Sequence, residues 1–477
     1  MADFHEECGV IGVFAKQTGP VAHDAYLGLC ALQHRGQDSC GIAVNDQGLF
    51  RLHTDTGLAS EVMTEGALLA LGEGRMAVGH VRYGLDEKAG RMDIQPLVIA
   101  HRKGRLALAN NGSLVNYGSL RDRFEDEGFI FHTTSDAEVI SCLITKERLT
   151  APSTEAAISR AMGQLEGSYT LVVMTTKKLI AVRGPMGLRP LCLGVKEDGT
   201  YVAASETCAL DVLGASFVRD VEPGEIVVIT DEGLTSITTH CQTHKQSLCV
   251  FEYIYFARPD SVIDGVSVHE ARVRAGEFLS KEHPVEADLV VGVPDSGIDG
   301  AIGYARASGI PYSLGFIKNK YIGRTFIKPA QNARKAGVHI KLNPLSAVVR
   351  GKRIVLVDDS IVRGTTSREI VRLLRKAGAT EVHMRITSPP FINPCYYGTD
   401  IKSREHLIAC KYTTEEIRDL IGADSLGYLS LEGVKGIAKP LPRERLCTAC
   451  FDGSYPTHPP RVSQREKYAQ RLMRVGG

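Results

Sequence analysis

The sharpest change from apolar to polar positions lies between Arg353 and Gly378, RIVLVDDSIVRGTTSREIVRLLRKAG. Ile354 to Val357 is a continuous apolar run, long enough for a buried strand and too short for an ordinary buried helix. It ends in two carboxylates, Asp358 and Asp359, and a polar stretch from Ser360 to Thr366 follows. Ile370, Val371, Leu373, Leu374 and Ala377 then fall on one helical face, with Thr366 and Glu369 at capping-box spacing and Gly378 as the stop. The segment predicts strand, polar loop, helix. The same order occurs upstream, where Ala287 to Val293 reads as a strand running into Pro294-Asp295-Ser296-Gly297 and then a helix from Ile298 to Ser308. From about Gln242 to Gly477 this alternation is that of a parallel sheet with crossover helices. The first half patterns differently. Gly9 to Ala15, Tyr169 to Val173, Leu179 to Val182 and Glu225 to Ile229 are short segments set off by turn residues, which predicts stacked antiparallel sheets with some helices.

In a parallel sheet the loop after a strand lies at its carboxyl end, where backbone N–H groups and the next helix N-terminus favour anions. Gly364 removes a Cβ that would block close approach, and Thr365, Thr366 and Ser367 add hydroxyl donors. Asp358 and Asp359 suit ribose hydroxyls or a magnesium ion rather than a phosphate. This combination resembles the 5-phosphoribosyl 1-pyrophosphate (PRPP) motif of the type I phosphoribosyltransferases. The resemblance implies PRPP contacts from Asp358, Asp359, Ser360, Arg363, Gly364, Thr365 and Thr366. It also implies magnesium near Ser296, Asp358 and Asp359, while Asp295 reads equally well as a helix cap. The basic segment Lys318 to Arg334, interrupted by Gly323 and Pro329, resembles the loop that closes over PRPP and offers Arg324, Thr325 and Lys328.

Composition narrows the setting. A chain of 477 residues exceeds what one core usually serves, so at least two domains are expected. Charged residues make up 23% and the formal net charge is +1, which excludes a strongly basic nucleic-acid surface. No apolar run approaches the length of a bilayer span, and no membrane association is expected. The start, MADFHEECGV, lacks the basic and apolar regions of a signal peptide, so a cytoplasmic location is expected. Twelve cysteines in such a chain point to buried, catalytic or metal-bound thiols rather than disulfides.

Cys8 precedes the first strand. Were it the first residue, its own α-amino group, with a pKa of about 8, would serve as the base that activates the thiol. Four further segments accompany it: QHRGQDSCGIAV at Gln33 to Val44, GHVRYG at Gly79 to Gly84, ANNGSLVN at Ala109 to Asn116 and TTSDAEVI at Thr133 to Ile140. Together they resemble the class II, N-terminal nucleophile, glutamine amidotransferase family. By that resemblance Cys8 attacks the glutamine side-chain amide, and Asn111 and Gly112 form the oxyanion hole. Arg82 grips the α-carboxylate, Asp136 takes the α-amino group, and Arg35 has a supporting role. A guanidinium fork suits a carboxylate, and neutral donors stabilise an oxyanion as its charge develops. The chain departs from the family at Gly84 and Leu85, where Ser-Thr is usual, and at Asn110, where His is usual. The preceding MADFHEE implies a propeptide, residues 1–7, removed after Glu7.

Cys447 and Cys450 form a C-x-x-C pair, and Cys249 and Cys395 bring the number to four. Spacing fits zinc or an iron–sulfur cluster alike. The surroundings are similar to the iron–sulfur, propeptide-bearing subclass of the glutamine PRPP amidotransferase family, which implies a 4Fe–4S cluster of structural or oxygen-sensing role. Cys30, Cys40, Cys142, Cys192, Cys208, Cys241 and Cys410 read as packing residues.

The expected organisation is thus an α+β amidotransferase domain over residues 8–241 and an α/β type I phosphoribosyltransferase domain over residues 242–477. The resemblance implies conversion of PRPP, glutamine and water to 5-phosphoribosylamine, glutamate and pyrophosphate, with ammonia passing internally between the sites. It also implies a homodimer or homotetramer inhibited by purine nucleotides. Amidotransferases for hexosamine or asparagine synthesis lack the DDSIVRGTTS loop. A non-catalytic regulator binding PRPP or nucleotides is the alternative from another class; it would have no need of Cys8 together with Arg82, Asn111 and Asp136.

Overall fold

The computed structural model describes residues 8–83, 91–319, 342–399, 401 and 403–460. Its backbone divides into two compact units. Residues 8–248, Tyr396–Thr399 and residues 455–460 form one, and Cys249–Cys395 with residues 401–454 form the other.

The first unit is built on two antiparallel sheets. Its strands are β1 (Gly9–Gly19), β2 (Ser39–Asp46), β3 (Leu49–Thr56), β4 (Gly74–Arg82), β5 (Leu97–His101), β6 (Gly104–Asn111) and β7 (Thr170–Met174). They continue with β8 (Leu179–Arg183), β9 (Cys192–Val195), β10 (Tyr201–Ala204), β11 (Ser216–Asp220), β12 (Ile226–Thr230) and β13 (Gly233–Ile237). One sheet runs β11-β9-β10-β1-β4-β2-β3 and the other β13-β12-β8-β7-β6-β5. Strand alternation sends successive side chains to opposite faces. Val10, Phe14, Val78, Ala107, Ala109 and Val172 therefore meet in the layer between the sheets. Ile11 and Val13 instead pack outward with Ala25 and Leu29 of the helix Val21–Ala31. On the other side, Leu106, Leu108, Leu171 and Val173 pack against Val139, Ile140 and Leu143 of the helix Asp136–Arg148. The result is four layers: helix, sheet, sheet, helix.

The second unit carries a parallel sheet of Leu289–Gly292, Arg353–Asp358, Glu381–Ile386 and Ser425–Tyr428, in that spatial order. Ile354 and Leu356 enter a core with Val291, Met384, Ile370 and Leu374, the last two from the helix Thr365–Lys376. The strand, loop and helix expected between Arg353 and Gly378 are present, but the capping box is not. The helix starts two residues earlier than that box requires, at Thr365 after Gly364, and Glu369 pairs with Arg372 (2.6 Å) instead of reaching back. Among the described residues no helix is long and apolar enough to cross a membrane.

Candidate active sites

Cys8 is half-buried at the entry to β1. β1 pairs with β4, with Gly9 opposite Val81, which brings Cys8 level with Arg82. Burial pushes the Cys8 thiol above its ordinary range, while the Arg82 charge and a hydrogen bond from the Tyr83 backbone draw it down and the Asp136 carboxylate raises it. Arg82, Asp136 and the thiol therefore share one neighbourhood. Arg82 Nη1 donates to the Asp93 carbonyl (2.6 Å), and the Asp93 carboxylate accepts from the Thr134 N–H (3.0 Å) and hydroxyl (2.7 Å). Asp136 sits in the first turn of its helix after the Ser135 cap, where its charge suits the helix dipole. One of its oxygens accepts from Ser113 Oγ (3.0 Å) and the Leu114 N–H (3.2 Å).

Asn111 ends β6 opposite Thr170, and both amide atoms of its buried side chain lack a partner among the described residues. A buried side-chain donor without a partner is uncommon and asks for one. Gly112 follows with φ of +132°, a conformation that favours glycine, and a Cβ there would run into the Ser168 carbonyl. Arg35 is buried and paired with Glu206, which also binds His34 Nε2 (2.6 Å). Gly84 and Leu85 lie outside the described residues.

In the second unit, Asp358, Asp359 and Ser360 are buried at the carboxyl end of their strand. Burial first, and then the charge of Asp359, pushes the Asp358 carboxyl well above the usual carboxylate range. Asp359 accepts hydrogen bonds from Ser296 and Ser360, and its N–H donates to Asp358 Oδ1 (2.9 Å). Two carboxylates so close and so dry repel unless one holds a proton or a cation lies between them. Asp295 is exposed and paired with Lys318, and it makes no helix cap. Arg363 and Thr365 are exposed and Thr366 half-buried around Gly364, which has φ of +75° and no side chain to cap the helix. The first N–H groups of a helix have no intrahelical acceptor, so they are open to an anion. Arg324, Thr325 and Lys328 lie outside the described residues.

Cys249, Cys395, Cys447 and Cys450 come together from distant parts of the chain. The Val250 N–H donates to the Cys447 carbonyl (3.2 Å), and the Ile392 and Asn393 N–H groups donate to that of Cys450 (3.1 Å each). Burial, then the charges of Cys249, Cys395 and Cys447, pushes the Cys450 thiol well above its ordinary range. Phe391 packs edge-to-face with Phe251 (5.4 Å) and at a tilt to Phe451 (4.8 Å), which makes the surroundings apolar. Among the described residues no group of three or more His, Cys, Asp or Glu side chains stands in metal-holding geometry. Of the cysteines read as packing, Cys40, Cys192 and Cys208 are buried and Cys30, Cys142 and Cys241 half-buried. Cys410 departs from that reading: it is exposed, on a short turn where its thiol meets the Ile392 carbonyl (3.3 Å).

Glu206, Asp93, His80 and Gln95 also support the first site without having been singled out. His80 lies inside the GHVRYG segment; Asp93 and Gln95 sit outside any of the segments singled out, 11 and 15 residues from Arg82 and Asn110, and Glu206 sits 171 residues from Arg35.

An antiparallel sandwich opening on a cysteine, joined in one chain to a parallel sheet with an acidic strand end, defines a glutamine amidotransferase fused to a phosphoribosyltransferase. A glutamine amidotransferase domain model matches residues 81–212, and a phosphoribosyl transferase domain model matches residues 268–387. An amidophosphoribosyltransferase of Bacillus subtilis is 49% identical, over 95% of this chain and 94% of its own. One of Synechocystis is 50% identical, over 97% and 93%, and one of Archaeoglobus fulgidus 48%, over 95% and 98%. The solved glutamine PRPP amidotransferase of B. subtilis, complexed with ADP and GMP, matches with a TM-score of 0.88 at 48% identity, covering 96% of this chain and 98% of that one. The chain belongs to the amidophosphoribosyltransferase family, whose reaction is the first step of purine biosynthesis.

Proposed function

We propose that Cys8 releases ammonia from glutamine in the first unit and that the ammonia attacks C1 of PRPP at the second. The observation that carries this reading is the joining, in one chain, of the Cys8, Arg82 and Asp136 neighbourhood with the buried Asp358–Asp359 strand end. Arg82 binds the substrate carboxylate, Asp136 its ammonium, and the Asn111 amide with the Gly112 N–H receives the tetrahedral oxyanion. The α-amino group of Cys8, freed by removal of residues 1–7, takes the thiol proton. That requirement agrees with a thiol whose burial opposes ionisation.

At the second site Ser296, Asp358 and Asp359 would hold magnesium, which supplies charge neutralisation for the departing pyrophosphate. The donors are hard oxygens, and the raised Asp358 carboxyl is what a cation would relieve. Thr365, Thr366 and the helix N-terminus take the 5-phosphate, and Arg324, Thr325 and Lys328 take the pyrophosphate. Cys249, Cys395, Cys447 and Cys450 would hold a 4Fe–4S cluster, a reading supported by the closeness of the other three thiols to Cys450, whose own thiol burial and their charges push up. Purine nucleotides inhibit, as the ADP and GMP bound to the B. subtilis relative suggest, and the enzyme works as a homodimer or homotetramer.

Mass spectrometry and metal analysis of anaerobically purified protein test the finer part of this reading. The expected result is an N-terminal Cys8 with about four iron and four sulfide per chain. An intact Met1 in fully active enzyme, or stoichiometric zinc without iron, would overturn it.

A further inference from the structure

Strand β6 is paired on both edges only part of the way. β5 accompanies it from His101 opposite Gly104 to Leu97 opposite Leu108, whereas β7 continues to Thr170 opposite Asn111. Asn110 therefore has a strand on one edge alone. Two side chains stand where β5 has ended. Gln95 Oε1 accepts the Asn110 N–H (2.7 Å), and His80 Nε2 donates to the Asn110 carbonyl (3.1 Å). With Nε2 as the donor, Nδ1 is the bare nitrogen, and it is buried without a partner among the described residues. Asn110 in turn donates from Nδ2 to the Gly112 carbonyl (3.3 Å). The residues on both sides of Asn111 are thus held through side chains.

His80 also ties the two sheets. It lies on β4, two residues before Arg82 and on the same face. One short link joins the strand that carries Arg82 to the strand that carries Asn111. An oxyanion hole stabilises charge only if its donors are in place before the charge develops, and small displacements cost rate. A backbone edge held by two buried side chains meets that need.

We propose that His80 and Gln95 are positioning residues for the oxyanion hole, clamping Asn110 so that the Asn111 amide and the Gly112 N–H stay aimed at the reacting carbonyl. The inference rests on the assignment of Asn111 and Gly112 to that hole. Loss of the clamp lowers kcat for glutamine hydrolysis and leaves KM for glutamine, set by Arg82 and Asp136, nearly unchanged.

The test uses the full, processed enzyme with His80→Asn, His80→Gln, Gln95→Leu and Gln95→Glu, and with Asn111→Ala as reference. Asparagine is too short to span the gap, whereas glutamine keeps an N–H at a reach like that of Nε2; glutamate keeps the acceptor that leucine removes. His80→Asn and Gln95→Leu should lower glutaminase kcat about tenfold, less than the roughly 100- to 1000-fold fall from losing a hole donor outright. His80→Gln and Gln95→Glu should recover most of the rate. Cys8 labelling gives a second readout. Alkylation by iodoacetamide forms no oxyanion and should be unchanged, while labelling by 6-diazo-5-oxo-L-norleucine, a glutamine-shaped diazoketone, should slow with kcat. The clamp is wrong if His80→Asn and Gln95→Leu keep wild-type kcat while Asn111→Ala is slow. It is also wrong if both labelling reactions fall together, or if KM rises with kcat intact. An unchanged kcat in Asn111→Ala would instead remove the oxyanion-hole assignment on which it rests.

Discussion

The two reaction centres are prepared by opposite means. The proposed glutamine site is set into a packed antiparallel sandwich, where the buried Asn111 amide waits and the Arg82 guanidinium is held by the Asp93 carbonyl. The proposed PRPP site lies at the end of a parallel sheet, where two buried carboxylates lie close together and the helix beyond has no capping side chain. The first holds its oxyanion donors in place before any charge develops, as suits a transition state whose charge appears only during attack. The second carries an electrostatic conflict that its own ligands resolve, as suits a substrate that brings phosphates and a divalent cation with it. Placing both in one chain separates the release of ammonia from its use, so each half should be breakable alone.

The largest effect tests that separation directly. Cys8→Ala should lower glutamine-dependent synthesis about a thousandfold or more and leave synthesis from ammonium salts near wild type. Asp359→Asn should lower synthesis from both nitrogen sources at least about a hundredfold, since the several kcal/mol a bound cation supplies convert at roughly 1.4 kcal/mol per tenfold. Pyrophosphate and glutamate release, measured side by side, check both. Equal loss from the two nitrogen sources in Cys8→Ala would show that the halves are not separable.

A smaller effect probes the ready-made character of the first site. Arg82→Lys keeps the charge and loses the planar fork, so KM for glutamine should rise about 10- to 100-fold, the worth of about 1.5–3 kcal/mol for a hydrogen bond to a charged group. Initial rates over a glutamine series at saturating PRPP would measure it. A fall in kcat at unchanged KM would move Arg82 from binding to chemistry.

The smallest is a stability effect. Burial, and then the Arg82 charge, holds the pKa of His80 down to about 3, whereas an unfolded histidine titrates at about 6.5. As pH falls, the unfolded chain takes up this proton first. The contribution of His80 is therefore full above about pH 6.5 and is lost as pH falls towards 3. His80→Gln has no such proton to take up, so its Tm should fall less than that of wild type between pH 7 and 5. Thermal scans of both proteins across that range would show the difference, and parallel curves would contradict it.

Much of the second unit can be read along the chain because its function is local. In an α/β unit one strand end, one loop and one helix start make the proposed PRPP-binding surface, so Asp358 to Thr366 announces itself within a few residues. Even there, the expected capping box gave way because the helix begins at Thr365 and Glu369 is taken by Arg372. The first unit is harder to read. Cys8, Arg82, Asn111 and Asp136 stand out only as separate short segments, and alternation shows that strands exist without showing which ones pair.

What the sequence determined by itself was the class of each half and the short segments proposed to carry its chemistry, since periodicity, capping and motif spacing act over a few neighbours. What only the tertiary structure decided was how those residues are supported. Glu206 holds Arg35 and His34 across more than 160 intervening positions, His80 reaches from one sheet to the other, and Tyr396–Thr399 return to the first unit from within the second half. Such contacts depend on sheet order, and sheet order is settled by which apolar faces bury one another over the whole unit rather than by any short stretch of chain.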